Sequence, residues 1–308
     1  MRRRLGAIDP GGGGRVTVAV VAACFSAPMI VWTGGPAMVV AAGRMLAAFA
    51  LSLPAALVVW RQGGPRALGI DATVALPLAV ATLMLALHFA AWTVSVDTTS
   101  VASAVVLVNA HPLVVLGVEA VLWRQVVRRR QWLGAGVALA GLAFLGGADA
   151  ILRGPRALLG DGLALAGAVT YAIYVLASAR VRVKVPTDVQ VAVLYGGSLL
   201  ILGLGTLVTR SPWPAPWLGP RLWLGFLLLG LVPTMLGHTM VQSVLDRVRP
   251  GVVSVALLGE PVGASLLAWA VLHQRPAPTD VIGGAVALIG IAIALWPEGE
   301  PPVAALAT

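Results

Sequence analysis

The sequence contains few charged residues, one lysine and one cysteine. Charged side chains make up 11% of its 308 residues, whereas hydrophobic side chains make up 59%. A soluble domain carries about 25% charged residues, so this chain could not cover the surface of a soluble fold. Because Cys24 stands alone, an internal disulfide and a cysteine-based metal cage are both excluded. The composition predicts a protein that crosses a membrane many times.

Long apolar runs, separated by Gly, Pro and Arg clusters, set the expected number of spans. A membrane helix needs about 20 apolar residues, which leaves room for about ten helices with their loops. The runs predict helices at residues 16–33, 37–60, 71–92, 100–122, 132–148, 160–179, 188–209, 220–243, 251–272 and 280–296. The fold class expected is an all-α integral membrane protein.

The basic residues are distributed unevenly between the two sets of loops. With the N-terminus inside, the cytoplasmic segments would carry 15 of the 21 basic residues and the opposite side would carry 5. This is the positive-inside pattern, so we expect a cell-membrane protein with both termini in the cytoplasm. The net charge of +9 then marks orientation in the lipid bilayer, and no nucleic-acid partner is expected.

An internal repeat divides the chain into two halves. A shift of 149 residues places segment 134–143 on segment 283–292 with six identities in ten, Pro112 on Pro261 and Gln125 on Gln274. Each half then holds five helices, and an odd number turns the second copy upside down. Inverted repeats of this kind are common in secondary transporters, which bind solute near mid-membrane where the halves meet.

Short motifs in both halves carry a resemblance to a known family. They are Ser100-Val101-Ala102-Ser103, His111-Pro112-Leu113 and Gln131-Trp132-Leu133-Gly134, then Gly160-Asp161-Gly162, Tyr171-Ala172-Ile173-Tyr174, Pro250-Gly251-Val252-Val253, Glu260-Pro261-Val262 and Ile282-Gly283-Gly284. Arg44 also falls where that family usually has an arginine. The chain resembles, over nearly its whole length, the EamA-type transporters of the drug/metabolite transporter superfamily.

The resemblance implies a ten-helix carrier that moves small organic solutes, most often outward, driven by a proton gradient or by exchange. It divides the chain into a basic segment (1–15), a first repeat (16–148), a connecting loop (149–159), a second repeat (160–296) and a cytoplasmic tail (297–308). One departure concerns the ends of the fourth and ninth helices, where Gln125 and Gln274 replace the usual glutamates. Any family-wide role for those acids is therefore in doubt here.

Ionisable groups inside the membrane cost about 2.5–3.5 kcal/mol each on insertion scales, which selects Arg44, Glu119 and Glu260 as candidates. Arg44 could clamp a carboxylate or phosphate, or form a structural pair with helix carbonyls or an acid. Glu260 lies at the helix break expected at Pro261, where it could exchange a proton or meet a cationic solute. It could equally be a structural partner for Arg44 or a histidine. Glu119 lies nearer the cytoplasmic end and could simply pair with an arginine.

The repeat places His111 at the position equivalent to Glu260, next to the break expected at Pro112. Asn109, the only asparagine, lies two residues earlier, about 200° away around a regular helix. We therefore expect His111 rather than Asn109 to face a cavity, although a hydrogen-bonded structural role is the favoured interpretation of this histidine. Tyr171 and Tyr174 share one helix face and could line the same cavity or pack in the core.

The other histidines and most tryptophans are predicted to lie at helix ends. His88 and His238 are interpreted as solvated or interfacial side chains. The tryptophans that would form interfacial belts are Trp60, Trp92, Trp123, Trp213, Trp217, Trp223 and Trp296. The glycines inside helices, such as Gly134, Gly141 and Gly290, are expected to let helix backbones approach closely.

The function expected is a secondary carrier, with no enzymatic activity, cofactor or metal. A membrane-embedded enzyme acting on a lipid-linked substrate is the main alternative, but His-Glu-x-x-His, Gly-x-Ser-x-Gly and paired aspartates are all absent. A non-transporting sensor or scaffold is the second alternative. The expected partners are a small-molecule substrate and the bilayer. A homodimer is compatible with the sequence, which holds no interface motif to decide it.

Overall fold

The computed structural model describes residues 10–99, 101–146, 154–211, 219–272 and 278–296, and within these ranges it contains helices and no strand. We number the ten helices of this part of the chain α1–α10. Six of them have no interruption other than a kink at Gly64 in α2: α2 (Ala37–Ala67), α3 (Ala72–Thr98), α5 (Arg129–Gly146), α6 (Gly154–Val181), α7 (Thr187–Val208) and α10 (Pro278–Leu295). The predicted all-α membrane fold is confirmed.

The other four helices are interrupted. Helix α1 comprises Pro10–Ala23 and Ser26–Thr33, and α4 comprises Val101–Val108 and His111–Val121. Helix α8 comprises Pro220–Leu229, the π-helical Gly230–His238 and Thr239–Val244. Helix α9 comprises Pro250–Ala256, the 3₁₀ turn Leu257–Gly259 and Glu260–Leu272. Among the described residues, eight stretches are long and apolar enough to cross a membrane, and Val281–Leu295 is a shorter apolar helix.

Several predicted boundaries were wrong. Helix α2 continues to Ala67 and α3 to Thr98, and α6 begins at Gly154 rather than at residue 160. Each extension contains polar residues, so a helix predicted from an apolar run alone is too short. As a result Tyr171 and Tyr174 lie beyond the middle of α6 rather than near its start.

Prolines explain two of the interruptions, because a proline cannot donate to the carbonyl four residues earlier. Pro112 leaves the Val108 carbonyl free, and this carbonyl accepts a hydrogen bond from Nδ1 of His111 at 3.1 Å. Pro233 likewise frees the carbonyl of Leu229, which accepts from the Thr234 hydroxyl at 2.8 Å. The freed carbonyls thereby fix polar side chains inside the bundle.

The helix contacts follow a two-fold relation between the halves. Helices α2 and α7, α4 and α9, and α5 and α10 pack as equivalent pairs, whereas α3 packs on α6 as α8 packs on α1. In the α5–α10 pair, a Cβ on Gly134 would lie 2.5 Å from the Ala294 nitrogen, and one on Gly141 would lie 2.6 Å from the Gly283 oxygen. As residue numbers increase along α5, the residues of α10 that they contact decrease in number, so these equivalent helices are antiparallel. This is the inverted repeat, and its backbones are in contact as predicted.

The two ends of the bundle differ in charge. The loops α2–α3, α4–α5, α6–α7 and α8–α9 lie at one end. We call it the basic end, because the last three of these loops carry arginine or lysine and because Arg61 and Arg66 lie near the end of α2. The loops α1–α2, α3–α4 and α7–α8 lie at the other end, which we call the opposite end. A cavity lies between them, surrounded by the interrupted helices.

Candidate functional site

A small internal cavity of about 50 Å³ lies where the two halves meet. Seven helices contribute to its wall, and each of them supplies at least one polar lining residue. The lining residues are Ala19, Ala23, Ser26, Arg44, His88, Phe89, Trp92, Val108, Asn109, His111, Tyr171, Pro233, Gly237, His238, Val241, Leu257 and Glu260. Five sequence-predicted site residues are therefore brought together here: Glu260, Arg44, His111, Asn109 and Tyr171.

Arg44 is held on one side of the cavity and is 2% exposed. Its Nε donates to the Thr234 hydroxyl at 2.6 Å, and its Nη1 donates to the Ser26 hydroxyl at 3.1 Å. The guanidinium carbon lies 4.2 Å from the centre of the Phe89 ring, which adds a cation–π contact. Neutral groups thus hold the cation in place, and no described residue forms a direct ion pair with it.

Glu260 begins the last segment of α9, directly after the 3₁₀ turn. Its carboxylate has neither a hydrogen bond nor an ion pair within the described ranges, although it interacts electrostatically with Arg44. Two opposite charges therefore line one cavity without being paired to each other. Such an arrangement leaves both charges free for a ligand.

Asn109 and His111 both line the cavity, contrary to the prediction that only one could. The prediction assumed a regular helix, but α4 is interrupted at residues 109–110, which changes the angle between the two side chains. Asn109 donates from Nδ2 to the Val105 carbonyl at 2.8 Å. Its Oδ1 and the Nε2 of His111 are buried and have no hydrogen-bond partner in the part of the chain described.

Three histidines surround Tyr171. The ring centres of His111, His88 and His238 lie 4.6, 5.0 and 5.8 Å from the centre of the Tyr171 ring. The interpretation of His88 and His238 as solvated residues at helix ends was therefore wrong. Both helices continue beyond these histidines, which places the rings inside the bundle.

The protonation pattern of one histidine follows from its partner. Nδ1 of His88 lies 2.9 Å from the carbonyl oxygen of Gly167, which can only accept. Nδ1 must therefore carry the proton, which leaves Nε2 of neutral His88 as an acceptor. Nδ1 of His238 is buried and has no partner among the described residues. A buried polar atom without a partner costs about 1–3 kcal/mol, which a bound solute or water would recover.

The matching sequence profile identifies the family, since that of the EamA-like transporters matches residues 16–147 and 158–296. The chain belongs to the EamA-like transporter family. A solved crystal structure shares 22% identity with it at a TM-score of 0.78, covering 92% of this chain and 96% of the other. That identity shows a shared fold alone. A search of curated proteins found no match.

The cavity of this EamA-like protein follows its internal repeat. A shift of 149 residues carries His111 onto Glu260, and a shift of 150 carries His88 onto His238. The two shifts differ because Glu260 lies 22 positions after His238, whereas His111 lies 23 positions after His88. Sequence reasoning missed the second pair because it used a single shift. Allowing a one-residue gap between these positions would have found it.

Two predicted site residues lie outside the cavity wall. Tyr174 lies one turn closer to the basic end than Tyr171, and its hydroxyl accepts a hydrogen bond from Nε2 of Gln242. Nε2 of Gln190 donates to Oε1 of Gln242 at 3.0 Å, which completes a polar layer below the cavity. Glu119 lies further toward the basic end and pairs with Arg249 at 2.9 Å.

The aromatic residues correct one further prediction. Trp92 is buried and lines the cavity rather than an interfacial belt, because α3 continues for six residues beyond it. Trp60, Trp223 and Trp296 are exposed as a belt would require. Trp213, Trp217 and Gln274 lie outside the described residues. Within those residues no group of three His, Cys, Asp or Glu side chains is arranged to hold a metal.

Proposed function

We propose that this protein is a secondary active exporter that carries a small organic solute by alternating access. The observation that carries the proposal is the unpaired Arg44 and Glu260 in one cavity between inverted halves. Carriers built from inverted repeats expose such a midpoint site to each side in turn as the halves move. The family supports transport, and the direction and mechanism belong to the proposal.

The size of the cavity supports a mechanism with large movements. A water molecule needs about 10–15 Å³ of such volume, so 50 Å³ holds only a few waters. Sites for small molecules typically measure about 300–1,000 Å³. The halves must therefore separate on one side before a solute can enter, which is the behaviour of a carrier rather than of an open channel.

The charges of the cavity favour a solute that carries both signs. The Arg44 guanidinium, fixed by Ser26 and Thr234, presents its remaining N–H groups to a carboxylate or a phosphate. Glu260 faces the cavity from the other half and suits an ammonium group. The rings of Phe89 and Tyr171 offer apolar surface between these two ends. Glu260 is also the group best placed to exchange a proton during transport.

The charge of the loops supports an orientation. The basic end carries arginine or lysine in three of its four described loops and near the end of α2, which is the pattern of a cytoplasmic surface. Both termini would then be cytoplasmic, and the opposite end would face the outside of the cell membrane. Helix α1 begins at the basic end with Pro10, in agreement with this orientation.

An export assay tests the proposal. Solutes released by cells that overproduce the wild type, Glu260→Gln or Arg44→Ala are compared at equal membrane abundance. Asp71→Asn and Arg61→Ala, which change exposed residues outside the cavity, are the matched controls. We expect a solute enriched by the wild type and both controls and lost in both cavity variants. Equal export by all five proteins would contradict the assigned site, and enrichment by none would contradict the exporter.

A further inference from the structure

A second pocket, of about 250 Å³, lies at the opposite end of the bundle. Helices α1, α2 and α3 line it with Ile30, Val40, Thr93, Val96 and Asp97, and the turn between α1 and α2 closes one side. Unlike the central cavity, it is formed by the first half of the chain alone. Its wall is partly polar, which distinguishes it from a lipid-filled groove.

The pocket lies one helical turn beyond the central cavity on all three helices. Ser26 lines the cavity and Ile30 the pocket, Arg44 the cavity and Val40 the pocket, and Trp92 the cavity and Val96 the pocket. Four residues along a helix correspond to about 6 Å at a rise of 1.5 Å per residue. A single layer of side chains therefore separates the two spaces.

This layer differs in chemistry from the closure on the other side of the cavity. Its members Ile30, Val40 and Val96 are buried and apolar, so they make no side-chain hydrogen bonds. Toward the basic end, the cavity is closed by the hydrogen-bonded Tyr174, Gln242 and Gln190. An apolar layer opens by rotation of side chains and small helix shifts, without leaving polar groups unpaired.

The polar part of the pocket favours cations. Asp97 is exposed in the last turn of α3 and has no ion pair among the described residues, and the Thr93 hydroxyl nearby has no hydrogen bond there. The carboxyl end of a helix carries a partial negative charge, which adds to that of Asp97. No basic side chain lines the pocket.

We propose that this pocket is the outer vestibule of the transport route, where Asp97 and Thr93 transiently bind the cationic group of the solute. Ile30, Val40 and Val96 form the thin gate between the vestibule and the central cavity. This inference deepens the proposed function and rests on it, because the solute that passes through the vestibule is the one that the protein exports. Its accessibility and its preference for cations are measurable without knowing the solute.

Thiol labelling tests the sidedness and the charge of the vestibule. Cys24→Ser removes the native thiol and keeps a donor for the Val20 carbonyl. In that background, Thr93→Cys in intact cells is treated with membrane-impermeant thiosulfonates bearing either a quaternary ammonium or a sulfonate. We expect labelling from outside, with a cation-to-anion rate ratio that falls about fivefold in Asp97→Asn. This is the effect of one charge about 8 Å away in water, which attracts one reagent and repels the other. Labelling only in inside-out vesicles, or an unchanged ratio, would overturn the proposal.

A second thiol measures the gate. Ala23→Cys, in the wall of the central cavity, should react at least about tenfold more slowly than Thr93→Cys, and adding Val40→Ala should remove most of that difference. Retained labelling of Thr93→Cys in the Val40→Ala protein shows that the fold persists. Ala37→Cys replaces Thr93→Cys if the latter does not reach the membrane. Equal rates at both depths without Val40→Ala would show that no gate exists.

The outcomes separate this inference from the proposed function. If the wild type exports a solute but the labelling pattern fails, transport occurs and its route lies elsewhere. If labelling is as expected but no solute is exported, the vestibule exists and the exporter assignment is wrong.

Discussion

Oε2 of Glu119 lies 2.9 Å from Nη2 of Arg249, which joins helix α4 of the first half to the start of α9 in the second. The same carboxylate accepts the backbone N–H of Gly251 on Oε1 at 3.1 Å. Arg249 also donates to the carbonyl of Val126 at 3.2 Å. Glu119 is fully buried, so these contacts close the basic end against water.

Removing this carboxylate should destabilise the protein. Glu119→Ala leaves Nη2 of Arg249 and the Gly251 N–H without an acceptor, and breaking a buried pair costs about 3–5 kcal/mol. Glu119→Gln keeps an acceptor for the Gly251 N–H, so its loss of stability should be about half that of Glu119→Ala. The measurement is the melting temperature of the purified protein in detergent. Asp71→Asn serves as a control, and equal melting temperatures for Glu119→Ala and this control would refute the pair's role.

The sequence permits prediction of the membrane fold because apolar runs and loop charges are local properties. The same reasoning selects Arg44 and Glu260, since an ionisable residue is conspicuous in an apolar helix. It fails for His88, His238 and Trp92, because their place depends on where α3 and α8 end and on how they pack. Apolar runs do not predict where these helices end, and no local sequence pattern predicts the π-helical segment that positions His238.

Asn109 illustrates a different cause of error. An angle of 100° per residue holds only inside a regular helix, and α4 is interrupted at this residue. The following Pro112 signals an interruption but not its geometry. The hydrogen bond from His111 to the freed Val108 carbonyl, which fixes that geometry, is a tertiary result that the sequence does not reveal.

The contact between α5 and α10 should tolerate no side chain at Gly141. A Cβ there would lie 2.6 Å from the Gly283 oxygen, which is backbone and cannot move alone. Gly136, on the same helix, has no atom within 4 Å of its Cβ position and is a matched control. We expect Gly141→Val to reduce folded protein in the membrane severely and Gly136→Val to be tolerated, as judged by size-exclusion profiles. Similar profiles for both variants would exclude backbone contact between these helices.

The Asp71–Lys184 pair at the basic end should give stability that depends on pH. Lys184 and Thr73 bond the Asp71 carboxylate and lower its pKa below the usual value of about 3.9. A lowered pKa means that the stabilisation is present above the usual value and is lost as pH falls below it. Because asparagine also caps a helix, Asp71→Asn removes only the charge.

Melting temperatures at several pH values check this prediction. The wild type should melt slightly above Asp71→Asn at pH 7, and the difference should shrink as the pH is lowered through about 4 toward 3. The effect should be small because both side chains are about half exposed, and added salt should reduce it. A difference that grows on acidification would contradict the lowered pKa.

His88 and His238 occupy equivalent places in the two halves but should respond differently to replacement. His88→Leu removes the hydrogen bond to the Gly167 carbonyl and should cost about 0.5–1.5 kcal/mol of stability. His238→Leu breaks no hydrogen bond of the described residues, because Nδ1 of His238 has no partner. Its stability should be unchanged or higher, since a buried unpaired polar atom is removed.

Transport should nevertheless fall in His238→Leu. If Nδ1 bonds the solute, its loss should reduce the rate at low solute concentration by about tenfold, the equivalent of one hydrogen bond of about 1.4 kcal/mol. Melting temperature and export are measured on the same preparations of both variants. Reduced export with an undiminished melting temperature would separate solute binding from folding. A large loss of stability in His238→Leu would instead show that the ring is a structural part of the π-helical segment.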